Sequence, residues 1–196
     1  MLGHIIGLLL NPVEQWKKIG AESDEKLKKS LLGFMILGLI PPVAAYIGIT
    51  KVGWLILGDE GERIRLTVES AIPQTVLFYC SLMFAAIFIG WMMHWMSSTY
   101  GVSTSKYRGV VFVMYCCAPI FIIGAAMAYP IWWLAMILAT LACSYAIRLL
   151  YLGIGPMMGV PEDRGFLYAS AAFAVALVYV VVVLVATTLA WIYVAE

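Results

Sequence analysis

Residues 109–147 read GVVFVMYCCAPIFIIGAAMAYPIWWLAMILATLACSYAI, without one Asp, Glu, Lys or Arg. A helix crosses a hydrocarbon core of ~30 Å with about 20 residues. The stretch is too long for one crossing and long enough for two. Tyr129-Pro130 marks the division, because proline lacks the N–H that a helix interior needs yet fits a first helical turn. Lipid offers no partners to backbone groups, so apolar runs this long and unalternating are read as helices. This gives two spans, 109–128 and 131–152.

The same reading extends in both directions. Ser30–Thr50 is uncharged between Lys29 and Lys51, Ala71–Met96 forms a further apolar run, and Phe166–Val194 closes the chain. The expected fold is an all-α membrane protein, a bundle of five transmembrane helices preceded by a short N-terminal interfacial helix. Two regions follow: an N-terminal cytoplasmic segment, 1–29, and a five-helix transmembrane domain, 30–196. Composition agrees, since 64% of the 196 residues are hydrophobic and only 12% charged. A soluble domain has no means of hiding that much apolar side chain. The net charge of +1 argues against a nucleic-acid surface, which needs a strong basic bias.

Basic residues set the expected orientation. With the N-terminus inside, Lys17, Lys18, Lys26, Lys28, Lys29, Lys106, Arg108, Arg148 and Arg164 fall on the cytoplasmic side. Lys51, Arg63 and Arg65 fall outside, among Asp59, Glu60, Glu62 and Glu69. The expected location is the cell inner (plasma) membrane, multi-pass, with the C-terminus outside. Ile5–Leu10 is shorter than the ~7–15 residues of a signal-peptide apolar region and no basic stretch precedes it, so no cleaved leader is expected.

Local signals refine the ends. Asn11-Pro12-Val13-Glu14 reads as a helix start, with Val13, Trp16 and Ile19 on one side and Lys17 and Lys18 opposite. Such a helix suits a membrane surface. Ser23-Asp24-Glu25 starts the next helix, and Asp163 is placed to cap the last one. Trp132, Trp133, Trp191 and Tyr193 fall where an outer aromatic belt belongs. Ala135, Ala139, Ala142 and Ala146 on the fourth span, and Ala169, Ala172 and Ala176 on the fifth, form small-residue stripes expected to pack together.

Several of these features, in this order, resemble the Yip1 domain family. They are the Asn11-Pro12…Trp16 lead, a first span broken by Pro41-Pro42, and Tyr115-Cys116-Cys117-Ala118-Pro119 in the third span. Leu150-Tyr151-Leu152-Gly153-Ile154, a proline-containing loop and a last apolar span complete the series. The resemblance covers essentially the whole chain and is nearest to the short bacterial members. It implies a five-helix bundle with a cytosolic N-terminus and a membrane address without established chemistry. Eukaryotic relatives engage Rab-type GTPases through a longer cytosolic region. Only about thirty residues precede the first span here, so that partner is not carried over. Met114 stands where the family often has glycine before its tyrosine.

Candidate sites are few. Pro41 and Pro42 withhold donors from the carbonyls of Leu37 and Gly38. Freed carbonyls form substrate or ion sites in broken transporter helices, but a simple kink gives the same pattern. Tyr115 and Pro119 belong to the same candidate helix-break site. His94, Lys106, Arg108, Arg148 and Arg164 form a basic shelf fitted to anionic lipid headgroups or partner proteins; ordinary positive-inside anchoring explains the same residues. Met92 and Met96 could hold Cu(I), although His94 points away from their face. The four cysteines, Cys80, Cys116, Cys117 and Cys143, make no Cys-x-x-Cys pair. No metal site and no cofactor is called for. No span carries a carboxylate and no catalytic grouping is visible, so an enzyme is not expected.

The expected function is a non-enzymatic membrane protein organising lipids or partner proteins, a Yip1-like scaffold or adaptor. Membrane lipids, anionic ones among them, membrane-protein partners or further copies of the chain are its expected contacts. The alternative is a small-molecule or ion transporter or channel using the proline-broken first helix.

Overall fold

The computed structural model describes residues 1–55, 63–102, 104–129 and 131–195, with side chains apart from those of 54, 55, 64 and 190–195. Asp59, Glu60, Glu62 and Pro130 lie outside the described residues, as do the side chains of Trp191 and Tyr193. The helices are α1 (Leu2–Leu10), α2 (Pro12–Gly20), α3 (Asp24–Leu37), α4 (Ile40–Ile47), α5 (Val68–Ser97), α6 (Lys106–Ile123), α7 (Trp132–Met158) and α8 (Glu162–Ala195). Among the described residues, five stretches are long and apolar enough to cross a membrane, beginning at Asp24, Val68, Lys106, Trp132 and Glu162.

The first of these is two helices in series. α3 ends at Leu37 and α4 starts at Ile40, which places Pro41 and Pro42 in a first turn, where a missing N–H leaves no gap. Gly38 (φ −66°, ψ −11°) and Leu39 (φ −74°, ψ −20°) keep right-handed torsions, so the chain bends without unwinding. A π-turn (Gly48–Val52) and a two-residue antiparallel ladder, Trp54 opposite Ile64 and Leu55 opposite Arg63, lead to α5.

α6 is the centre of the bundle. It packs on α3, α5 and α7, and most of its side chains from Val111 to Phe121 are buried. The α6 and α5 backbones meet at Gly90 and Gly109. A methyl group built on Gly109 would strike the carbonyl oxygen of Gly90, and one on Gly90 would strike the backbone of Val110. In lipid the hydrophobic effect does not draw helices together, so close backbone approach at small residues supplies the attraction.

α7 packs on α6 and α2, and α8 lies at the edge against α5 and α7. The alanine stripes meet only in part. Ala146, Ala172 and Ala176 share one apolar cleft, whereas Ala135, Ala139 and Ala142 face Pro41, Ile120 and Gly124. α8 is fastened by tyrosines instead: Tyr168 donates to the carbonyl of Met93, and Tyr179 to that of Ser81 at 2.8 Å. Tyr151 on α7 reaches Ser170 at 2.9 Å.

The N-terminal segment forms two helices joined at Asn11, which bury Ile5 and Leu8 of α1 and Trp16 and Ile19 of α2 while Val13 stays exposed. Trp16 and Ile19 are fully buried, and Trp16 inserts against Phe112 of α6 and Gly153 of α7. Tyr145 donates to the carbonyls of Leu8 (2.8 Å) and Leu9 (3.2 Å), which closes the end of α1. Leu2, Ile6, Leu9 and Leu10 remain exposed on the outer side of α1. Asn11 and Ser23 flank their helices without a side-chain capping bond, while Ser105 accepts from the N–H of Arg108 at 3.4 Å. Asp163 lies inside the first turn of α8 and does not cap it; that position still suits an acid.

Candidate functional site

The N-terminal segment, the α5–α6 turn and the α7–α8 turn all meet at one end of the bundle. Among the described residues, nine basic residues gather there, against six acidic ones. Much of that acid is already engaged. Glu22 lies against Lys26 and 3.2 Å from His4, Asp24 is 2.8 Å from Arg108, and Asp163 is 3.8 Å from Arg164. Lys17, Lys18, Lys28, Lys29, Lys106 and Arg148 make no ion pair among the described residues.

The five shelf residues thus occupy different situations. Lys106, the first residue of α6, is exposed. Arg148 projects from α7 over the Tyr145 ring, 5.6 Å from its centroid. Arg164 is exposed beside Gly101. His94 is half-buried in the last turn of α5, and its Nδ1 has no hydrogen-bond partner among the described residues. Arg108 is turned inward. Its guanidinium donates to the carbonyls of Gly20 (3.1 Å), Glu22 (2.9 Å) and Met157 (3.4 Å) as well as to Asp24. One planar fork thereby joins the ends of α2, α3 and α7 to the start of α6, a geometry a lysine cannot reproduce. The sequence signals only that Arg108 is basic; its acceptors lie 49 to 88 residues away in the chain.

The helix-break residues do not form one site. Pro41 packs against Gly124, so closely that a methyl on that glycine would collide with it. The cleft beside it, about 140 Å³, is lined by apolar residues such as Phe78, Ile120, Met127 and Leu138. Tyr115 lies elsewhere, fully buried among Phe34 (4.6 Å, near-perpendicular), Trp16 and His4 (both 6.2 Å). Pro119, also buried, follows one turn later and withholds a donor from the Tyr115 carbonyl. Among the described residues no group of three or more His, Cys, Asp or Glu is placed to hold a metal ion.

Five long apolar helices, with charge concentrated at one end, define a multi-pass α-helical membrane protein. The chain matches the Yip1 domain over residues 6–184, and it belongs to the Yip1 domain family. It is 28% identical over 192 residues to the inner membrane protein YohC of Escherichia coli K12, covering 98% of this chain and 97% of the relative. The YohC of E. coli strain CFT073 matches to the same extent. No solved structure matches the chain.

Proposed function

We propose that this protein is a non-enzymatic inner-membrane protein that gathers anionic phospholipids around a basic cytoplasmic end, and so organises its surrounding lipid and neighbouring proteins. The observation that carries this reading is the set of six basic side chains at one end without an ion pair among the described residues. Anionic headgroups attract such residues at about 1 kcal/mol each near the surface, and the attraction falls with salt. The YohC relatives are inner-membrane proteins, which supports that location here. The lysine-rich N-terminal segment supports a cytoplasmic N-terminus.

The test measures lipid composition. The protein is purified from bilayers of phosphatidylethanolamine and phosphatidylglycerol, and the retained lipids are weighed by mass spectrometry. Changing Lys17, Lys18, Lys28, Lys29 and Arg148 to glutamine should lower retained phosphatidylglycerol severalfold; unchanged retention defeats the proposal. Arg108 stays intact, because its bonds lie within the protein.

Transport through the broken first helix finds less support, since the chain bends at Gly38–Leu39 without opening and the adjoining cleft is apolar. Proteoliposomes of wild type and of Pro41→Ala/Pro42→Ala should show equally low ion and solute flux. Flux in the wild type that the double variant abolishes would restore the transporter reading.

A further inference from the structure

One cleft at the basic end combines features that the charge pattern alone does not reveal. It measures about 370 Å³ and lies where the last turns of α5 meet the approach to α6. That volume falls within the ~300–1,000 Å³ typical of small-ligand clefts. Two residues of its lining, His94 and Thr104, each carry a polar atom, Nδ1 and Oγ1, that is buried without a partner among the described residues. Buried polar atoms are nearly always satisfied, so two in one cleft point to a ligand that supplies the missing bonds.

The lining specifies which ligand. Lys106 adds a cation, and the described lining contains no carboxylate. Across Thr104, Asp24 is held by Arg108, which removes the nearby acid as a competitor. The lining therefore presents a fixed positive charge and two groups able to donate, an arrangement for an oxyanion. Trp91 and Trp95 form the outer rim, 47% and 65% exposed. Exposed tryptophans beside a transmembrane helix end sit at headgroup level, where the abundant oxyanion is a phosphodiester.

We propose that this cleft binds the phosphodiester of one anionic phospholipid, with Lys106, Thr104 and His94 donating to its oxygens and Trp91 and Trp95 against its glycerol. The inference deepens the lipid-gathering function and rests on it. It adds a single saturable position to a diffuse attraction.

The experiment titrates phosphatidylglycerol into detergent-solubilised full-length protein and counts bound lipid by native mass spectrometry. Wild type should take one phosphatidylglycerol tightly, in preference to phosphatidylcholine. Thr104→Val with Lys106→Met should weaken that event about tenfold, from the lost cation and hydroxyl. Thr104→Ser, which keeps the hydroxyl, should retain it. Undiminished affinity in the double variant overturns the proposal. Inorganic phosphate is the second arm. If it displaces phosphatidylglycerol at equal concentration, the occupant is a free phosphate and the lipid assignment fails; if it does not compete, the lipid is the ligand. The glutamine variant of Lys17, Lys18, Lys28, Lys29 and Arg148 separates the two claims. It leaves the cleft intact and should keep the tight event while losing the weaker ones.

Discussion

Gly109→Leu is expected to unfold or displace the α5–α6 pair, with a loss of at least about 3 kcal/mol measured by denaturant titration in detergent. The sign can be checked with a smaller change. In an unobstructed helix interior Gly→Ala stabilises by roughly 0.5–1 kcal/mol. At Gly109 the added methyl meets the backbone oxygen of Gly90, which has no rotamer by which to yield. Gly109→Ala should therefore destabilise, by about 1–3 kcal/mol. Gly3→Ala is the control, because nothing lies within 4 Å of a methyl group there. If Gly109→Ala proved as harmless as Gly3→Ala, the backbone contact at the centre of the bundle would be refuted.

Arg108→Gln should release the N-terminal segment. Three backbone carbonyls and Asp24 lose their donor together, and bonds from a charged donor contribute about 1.5–3 kcal/mol each when well shielded. The Arg108 side chain is 24% exposed and that of Asp24 42%, so the expected total is discounted to about 2–3 kcal/mol. Arg108→Lys should fare little better, since an ammonium does not span carbonyls on three chain segments. Limited trypsin digestion in detergent reads the outcome directly. Cleavage after Lys17 and Lys18 should accelerate by an order of magnitude or more, as ~1.4 kcal/mol corresponds to tenfold in an opening equilibrium. An unchanged digestion rate would show that the fork does not hold the segment.

These two sites mark the limit of what the sequence discloses. The five crossings are legible because uncharged length is a direct statement about solubility in hydrocarbon, and the proline at the middle of 109–147 divides it. The α2 face of Trp16 and Ile19 is legible as apolar. However, periodicity does not distinguish a membrane surface from a protein surface, and here the face meets α6 and α7. Gly90 and Gly109 are isolated glycines on different helices, so no repeat announces their contact. Arg108 resembles its neighbours in the shelf until the carbonyls that surround it are placed. The cleft at His94 depends on Thr104 being folded back against α5, which no local pattern encodes.

The burial of Trp16 against Gly153 also fixes an order of events during synthesis. About 140 further residues separate the two positions, and a ribosome adding ~5–20 residues per second takes on the order of ten seconds to deliver the second after the first. Until α6 is made, the Trp16 side of α2 lacks the Phe112 ring it packs against, and its contact with α7 waits longer still. The part of the chain made first is thus among the last to reach its final place.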